Sequence, residues 1–544
     1  MRRLSIRSLL IGLALSALAM SLAQEPVRSF TLLTRPQAAA PYEFQSAQII
    51  AQTWRKLGLD VNVQVMPWEQ MSDVVWYQRD AWDVSGWQMV GRPERSDPDE
   101  IVYNLFHSST AEDGYNFVGY INPEYDAVVE AQRGETDPEK RRAEIFEAQE
   151  ILARDQPYMM TAYPLNAHAF RADVFDPDSA VLQSGLGIRN FWTNISLQPI
   201  GNQRDIVTNS ADPVQAINPL YISGGVDSWV YELIWDRLLR IDENGLPTPW
   251  AAESYEWLDD VTIDVTVKND MKWHDGEPLT LDDVVFSYET AGSGEAPMYA
   301  PFVKGIESME KVGDWTLRFH LKEPNAPFLT ATLAKINLIP RHIWEPVIED
   351  LKNSPQNAES YQEEVPVGSG PFRFDRWIMN QEIVLVANKD HFSPPKVDRF
   401  ILRNIANTEA VLGMLRSGEL NFVSEYAGDI GLLEEVAQSG PIKLVLAEDI
   451  GFRMFTFNNR RAPFDSADFR RALSYSVSRD VLVQAAFSGY ATPANSVVSI
   501  ALPFWHNPAV DNPATGEDVA RAILEEAGYT WDSKGRLLYP ATRN

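Results

Sequence analysis

Two periods alternate along this chain. Behind Tyr42, residues Ala47, Ile50, Ala51, Trp54 and Leu57 recur at helical spacing until Gly58 stops the run, which predicts a helix over about 42–57. Ser29 to Thr34 before it and Asp60 to Val65 after it both read as strands, the second alternating with period two. Strand, helix and strand in that order predict a parallel pair with a right-handed crossover. A helix over Trp68 to Tyr77, a strand from Trp82 to Trp87 and a polar loop from Gln88 to Asp99 follow. Two helices come next, about 123–133 and 137–154, the second capped by Thr136-Asp137-Pro138-Glu139. Tyr158 to Tyr163 reads as a strand.

The same alternation starts afresh at Asp205. Asp205 to Thr208 predicts a strand, Asn218-Pro219 a turn, Val226 to Leu239 an amphipathic helix and Val261 to Val267 a strand. Trp273 to Thr280 is a turn into a helix at Asp282, and Pro366 to Pro371 a rigid connector. Asn407 to Leu415 predicts a helix and Phe452 to Asn458 a strand. Near the end, Val519, Ala520, Ile523, Leu524 and Ala527 share a helical face before Gly528. A last strand, Arg536 to Tyr539, then has no sequential neighbour. An edge strand leaves backbone groups unmet, so it is expected to pair with Phe30 to Leu33, as a hairpin whose connection has been cut. Strands and helices alternating in mixed sheets make the fold class α/β.

A chain of 544 residues is too long for one core and implies two or three domains. Its net charge of −29 argues against nucleic acid and anionic membrane surfaces as partners. Arg2, Arg3 and Arg7 precede an apolar run from Leu9 to Met20, and Ser21 and Ala23 suit cleavage after Ala23. The run is shorter than the roughly 20 residues that span a bilayer, so a cleaved export signal over 1–23 is expected. With no cysteine there is no site for a lipid anchor, a disulfide or a thiolate metal centre, and the periplasm is the expected location. No nucleophile elbow, His-Glu-x-x-His or phosphate loop occurs, and the seven histidines are not spaced as ligands. Neither cofactor, metal nor catalytic residue is therefore expected. Paired carboxylates leave a secreted glycan-cleaving enzyme as the alternative of another class.

From Asp205 onward the order of segments resembles the solute-binding proteins of ABC importers, in the family that serves peptides, nickel and oligosaccharides (family 5). The carriers are Asn218-Pro219-Leu220 with Leu233 to Leu239, Trp273-His274-Asp275-Gly276, Gly368 to Phe372, Asn458-Asn459-Arg460 with Pro463-Phe464, Phe469 to Tyr475, and Gly489-Tyr490. The leading block, 28–175, resembles the family's C-terminal third through Gly86-Trp87, Asp97-Pro98, Gly119-Tyr120, Asn122 to Asp126 and Pro157-Tyr158. Joining Asn544 to Arg28 restores the family order, so a circular permutant is expected. The resemblance implies a two-lobed clamshell with an extra subdomain. One lobe is expected to be continuous over 166–451 with a subdomain near 243–362, and the other split into 24–165 and 452–544. The crossings fall near 163–167 and 449–453.

The resemblance also implies a function: a monomer that closes its lobes on a small solute, a peptide or similar oligomer, and delivers it to membrane permease subunits. An oligosaccharide is the alternative within the family. Trp68 and Trp87 match positions near the family's cleft, and both also fit a core. Tyr221 and Gly225 belong to a segment where the family's ligands meet backbone, and Trp229 lies one turn into the next helix. Peptide-binding members carry an Asp three residues after the Gly-Trp to pair with an ammonium, and here that position is Val90. Either Glu94, in the longer loop, takes that role or no amine clamp exists. Arg92 and Arg95 either receive a ligand carboxylate or pair with Glu94.

Overall fold

The computed structural model describes residues 24–541, except 38, 92, 113, 222–224, 353 and 355 and the side chains of 69, 93 and 94. The leader expected over 1–23 lies outside the described residues. The expected βαβ unit is present: Phe30–Thr34 pairs in parallel with Val61–Val65 across the helix Pro41–Lys56. That helix buries Ala47, Ile50, Ala51 and Trp54, and Trp54 Nε1 donates to Leu473 O at 3.0 Å. Phe30–Thr34 also pairs with Val84–Met89, so both its edges are occupied.

That occupancy corrects one expectation. Arg536–Tyr539 does not pair with Phe30–Leu33. Its strand, Leu537–Leu538, pairs with Thr530–Trp531 and meets the chain four residues earlier than expected, at Pro26. Val27 N donates to Leu537 O and Tyr539 N to Glu25 O, each at 2.8 Å. Gly58 makes the third side of this junction: a Cβ there would lie 2.1 Å from Gly535 O, and its φ of +86° suits glycine. The two ends of the described chain are thus neighbours, through a different strand.

The largest sheet has eight strands. Its main path runs Phe422–Val423, Tyr158–Arg171, Phe452–Phe457, Val84–Met89, Phe30–Thr34, Val61–Val65. Tyr158–Arg171 is far longer than the strand to Tyr163 read from the sequence. Its first part pairs antiparallel with Phe452–Phe457, and its second, from Leu165, with Ile442–Glu448. A second sheet joins Phe372–Ile378, Glu382–Ala387, Arg399–Asn404 and Asp205–Ser210, the last pair parallel and the others antiparallel. An antiparallel sheet of Ile306–Lys311, Thr316–Leu321, Thr262–Val267 and Ala252–Asp259 has its own core around Trp273, Tyr288, Phe319 and Trp344. The helix expected over 226–239 covers only Asp227–Ile234. Trp235 is extended, and Leu239–Ile241 pairs with Pro247–Pro249 instead.

Two of the sequence signatures turn out to lock together. His274 Nδ1 accepts from Gly368 N at 3.3 Å, which leaves Nε2–H to donate to Gly370 O at 3.0 Å. Burial pushes the imidazole down to about 4, against the pull of the Gly370 carbonyl, so the neutral ring is the working form. Asp97, of the Asp97-Pro98 segment, forms a buried two-point pair with Arg141 at 2.7 and 2.8 Å. These residues hold loops in place.

Candidate functional site

Two strands pass between separate cores. Tyr158–Arg171 gives Tyr158, Met160 and Tyr163 to a core with Trp87 and Phe452, and Phe170 to one with Trp235 and Phe400. Beside it the chain leaves Ile442–Glu448, turns through Asp449, Ile450 and Gly451, and enters Phe452–Phe457. Asp449 N donates to Pro164 O at 3.0 Å, tying the two crossings to each other. Gly91 packs against this turn, where a Cβ would stand 1.7 Å from Asp449 Oδ1.

On the Trp87 side lies an aromatic group. Trp87 is 6% exposed, on Val84–Met89. Its ring stacks near-parallel with Trp68 at 6.3 Å and meets Trp76 and Phe117 edge-on at 6.4 and 6.0 Å. Trp87 Nε1 is buried with no hydrogen-bond partner among the described residues. Trp68, at the start of Trp68–Tyr77, is half-buried and covers Trp87. Arg35 lies 5.8 Å above the Trp68 ring and is held by Glu43 at 2.7 Å.

On the other side, Trp229 is half-buried on Asp227–Ile234, and the Arg189 guanidinium lies 4.3 Å over its ring. Tyr221 is half-buried after the Asn218 turn, and Gly225 is exposed, its carbonyl accepting from Ser228 Oγ at 2.8 Å. Arg92 and the side chain of Glu94 lie outside the described residues. Arg95 is engaged by Glu100 at 2.9 Å. The structure therefore brings Trp68 and Trp87 into contact on one side of the crossing and puts Trp229 with Arg189 on the other.

Three charged residues at the passage were missed from the sequence: Arg189, Asp449 and Arg453. Each is half-buried. Burial holds both guanidinium pKa values below the ordinary range, opposed for Arg189 by Glu425, Asp449 and Glu232 and for Arg453 mainly by Asp449. Burial also pushes the Asp449 carboxyl up, against the backbone N–H of Gly451, both arginines and Asn166. One signal was available: Arg453 interrupts Phe452 to Phe457, which is otherwise apolar but for Thr456. Among the described residues no group of three or more His, Asp or Glu is placed to hold a metal ion. No described helix is long and apolar enough to cross a membrane.

The family model described as "Bacterial extracellular solute-binding proteins, family 5 Middle" matches residues 247–544, more than half of the chain. The oligopeptide-binding protein AppA of Bacillus subtilis is 30% identical over 338 residues, 60% of this chain and 59% of that protein. The glutathione-binding protein GsiB of Escherichia coli is 28% identical over 360 residues, 64% of this chain and 66% of that protein. The chain thus spans about three fifths to two thirds of the length of these relatives. The crystal structure of the ABC transporter substrate binding protein CtaP of Listeria monocytogenes matches with a TM-score of 0.50 and 23% identity, over 61% of this chain and 66% of that one. That likeness is one of fold.

Proposed function

We infer the function from one premise: the chain belongs to family 5 of the bacterial extracellular solute-binding proteins. On this reading it is the solute-capturing component of an ABC importer, and it performs binding without chemistry. The solute is a peptide or similar oligomer, the class named in the relatives AppA and GsiB. It is released to membrane permease subunits. The observation that carries the reading is the passage between two cores, crossed by two adjacent strands and bordered by aromatic and charged groups. Such strands supply a hinge, and a ligand touching both walls stabilises the closed form. We assign 24–165 and 452–544 to one lobe and 166–451 to the other, with export directed by residues 1–23.

The test is scattering in solution with and without a mixed tetrapeptide library. The radius of gyration is expected to fall on binding, and an unchanged radius with proven binding would overturn the hinge. Within the cleft we assign the contact role to Trp68, with Trp87 as the ring it rests on and Trp229, Tyr221 and Gly225 opposite. Trp68→Ala is expected to weaken binding of the retained peptides by about 1–2 kcal/mol, from lost stacking and burial. Titration calorimetry reads this directly, and unchanged affinity in the folded variant would remove Trp68 from the site.

We also read the order of the chain as a circular permutation. Support comes from the hydrogen bonds joining residues 25–27 to 537–539 and from the family match confined to 247–544. A re-cut chain that begins at Asn202, in an exposed turn, and joins Ala541 to Gln24 should fold and bind as the native order does. Failure of the re-cut chain to fold would count against the permutation.

A further inference from the structure

We propose that Arg453 and Arg189, on the two sides of the Asp449 turn, form a subsite that receives a carboxylate of the solute. The inference rests on the solute-binding reading and adds a ligand chemistry to it. Arginines withdrawn from solvent elsewhere in this chain are engaged: Arg141 by Asp97, Arg470 by the carbonyls of Asp155 and Phe464, Arg479 by those of Ser474 and Val477. Arg453 and Arg189 differ. Among the described residues neither guanidinium forms a hydrogen bond or an ion pair within 4.0 Å.

Their surroundings make the lack consequential. Arg453 stands opposite Gln88 and Ala162 in the sheet, between the buried Phe452 and Met454. The charges that face it are Asp449, Glu43 and Arg35. Glu43 is committed to Arg35, through both the side chain and the Arg35 N–H. Asp449 is shared with Arg189 and has one oxygen on Gly451 N at 2.8 Å. Arg189 is faced by Glu425 and Glu232 as well, and Glu425 accepts from Ala211 N at 3.2 Å. Its planar face is taken by Trp229, which leaves its donor edge for a ligand. Asp449 is thus the first counter-charge of Arg453 and is shared with Arg189, which draws on Glu425 and Glu232 as well. A guanidinium in low-dielectric surroundings gains most from a two-point carboxylate partner. A carboxylate seated there would touch both lobes and so act directly on closure.

The experiment uses the full mature chain and two probes, a random tetrapeptide library with free C-termini and the same library amidated. Bound peptides are identified by mass spectrometry and the strongest are titrated. The free acids are expected to bind at least tenfold more tightly than their amides. Arg453→Gln should abolish that preference, and Arg453→Lys should restore part of it. Arg189→Gln supplies a second variant should Arg453→Gln fail to fold. Equal binding of acids and amides, or a preference that survives both Gln variants, would overturn the subsite and leave solute binding intact. Binding of a neutral oligosaccharide alone, indifferent to both Gln variants, would do the same. Retention of no probe by the folded protein would overturn both readings.

Discussion

Replacing Asp236 by alanine is expected to lower the unfolding free energy by about 3–5 kcal/mol, because it strands partners that have no water to turn to. Asp236 is fully buried, with Trp250 Nε1 donating to Oδ1 at 2.7 Å and His391 Nε2 at 3.4 Å from Oδ2. Burial alone pushes its carboxyl up. His391, Arg240 and the Trp250 N–H outweigh that and hold it down at about 2. Arg240, close by, is itself pushed down to about 9 by burial and by Arg237, and Asp236 is a counter-charge it depends on. The alanine variant leaves the indole N–H and the imidazole unmet and this guanidinium less compensated. Asp236→Asn keeps an acceptor for Trp250 and should recover part of the loss. Urea unfolding of the three proteins at pH 7 gives the comparison, and a loss below about 1 kcal/mol for alanine would refute the account.

Glu363→Gln should act in the opposite direction. Glu363 is 8% exposed, and burial pushes its carboxyl from the ordinary 4.5 up to about 8, against a backbone N–H from Val367. Between those two values the folded protein holds a proton that the unfolded chain has released. Its contribution to stability is therefore intact below about pH 4.5 and drains away as pH rises towards 8. At about 1.4 kcal/mol per pH unit, the ionisable side chain costs about 3 kcal/mol near pH 7 relative to a neutral one. Glutamine keeps the shape without the charge. The two proteins should unfold alike at pH 4.5 and diverge steadily up to pH 8, the variant being the more stable. Parallel curves across that range would show that Glu363 titrates normally.

The elements with a clean period were legible in advance. Trp68–Tyr77 was read to the residue, and Pro41–Lys56 to within one at each end, since each presents one apolar face. The helix from Val226 was read five residues too long. Trp235 and Leu239 keep helical spacing in the sequence, but Trp235 turns extended and its indole N–H reaches Val367 O at 3.0 Å. The final strand was misplaced for a related reason. A short apolar run after a turn shows that a strand wants a partner, yet Phe30–Thr34 already has one on each edge. Of the residues proposed for the site, Trp68, Trp87 and Trp229 stand out in the sequence by type. Arg189 and Arg453 did not, because a lone arginine in an apolar run looks the same whether it reaches a carbonyl or nothing. Only the position of its neighbours separates the two.

The two crossings lie hydrogen-bonded side by side, with Leu165 opposite Glu448 and Asp449 N donating to Pro164 O. Only over 165–168, between the segments edged by Ala491–Pro493 and by Phe422–Val423, is this a two-stranded ribbon, and there it resists shear within its own plane and yields to bending out of it. If the two lobes hinge here as proposed, their gape follows a single arc, as a leaf spring does. Solutes of different length would be met by different depths of bend along one path, with the same two walls arriving at each.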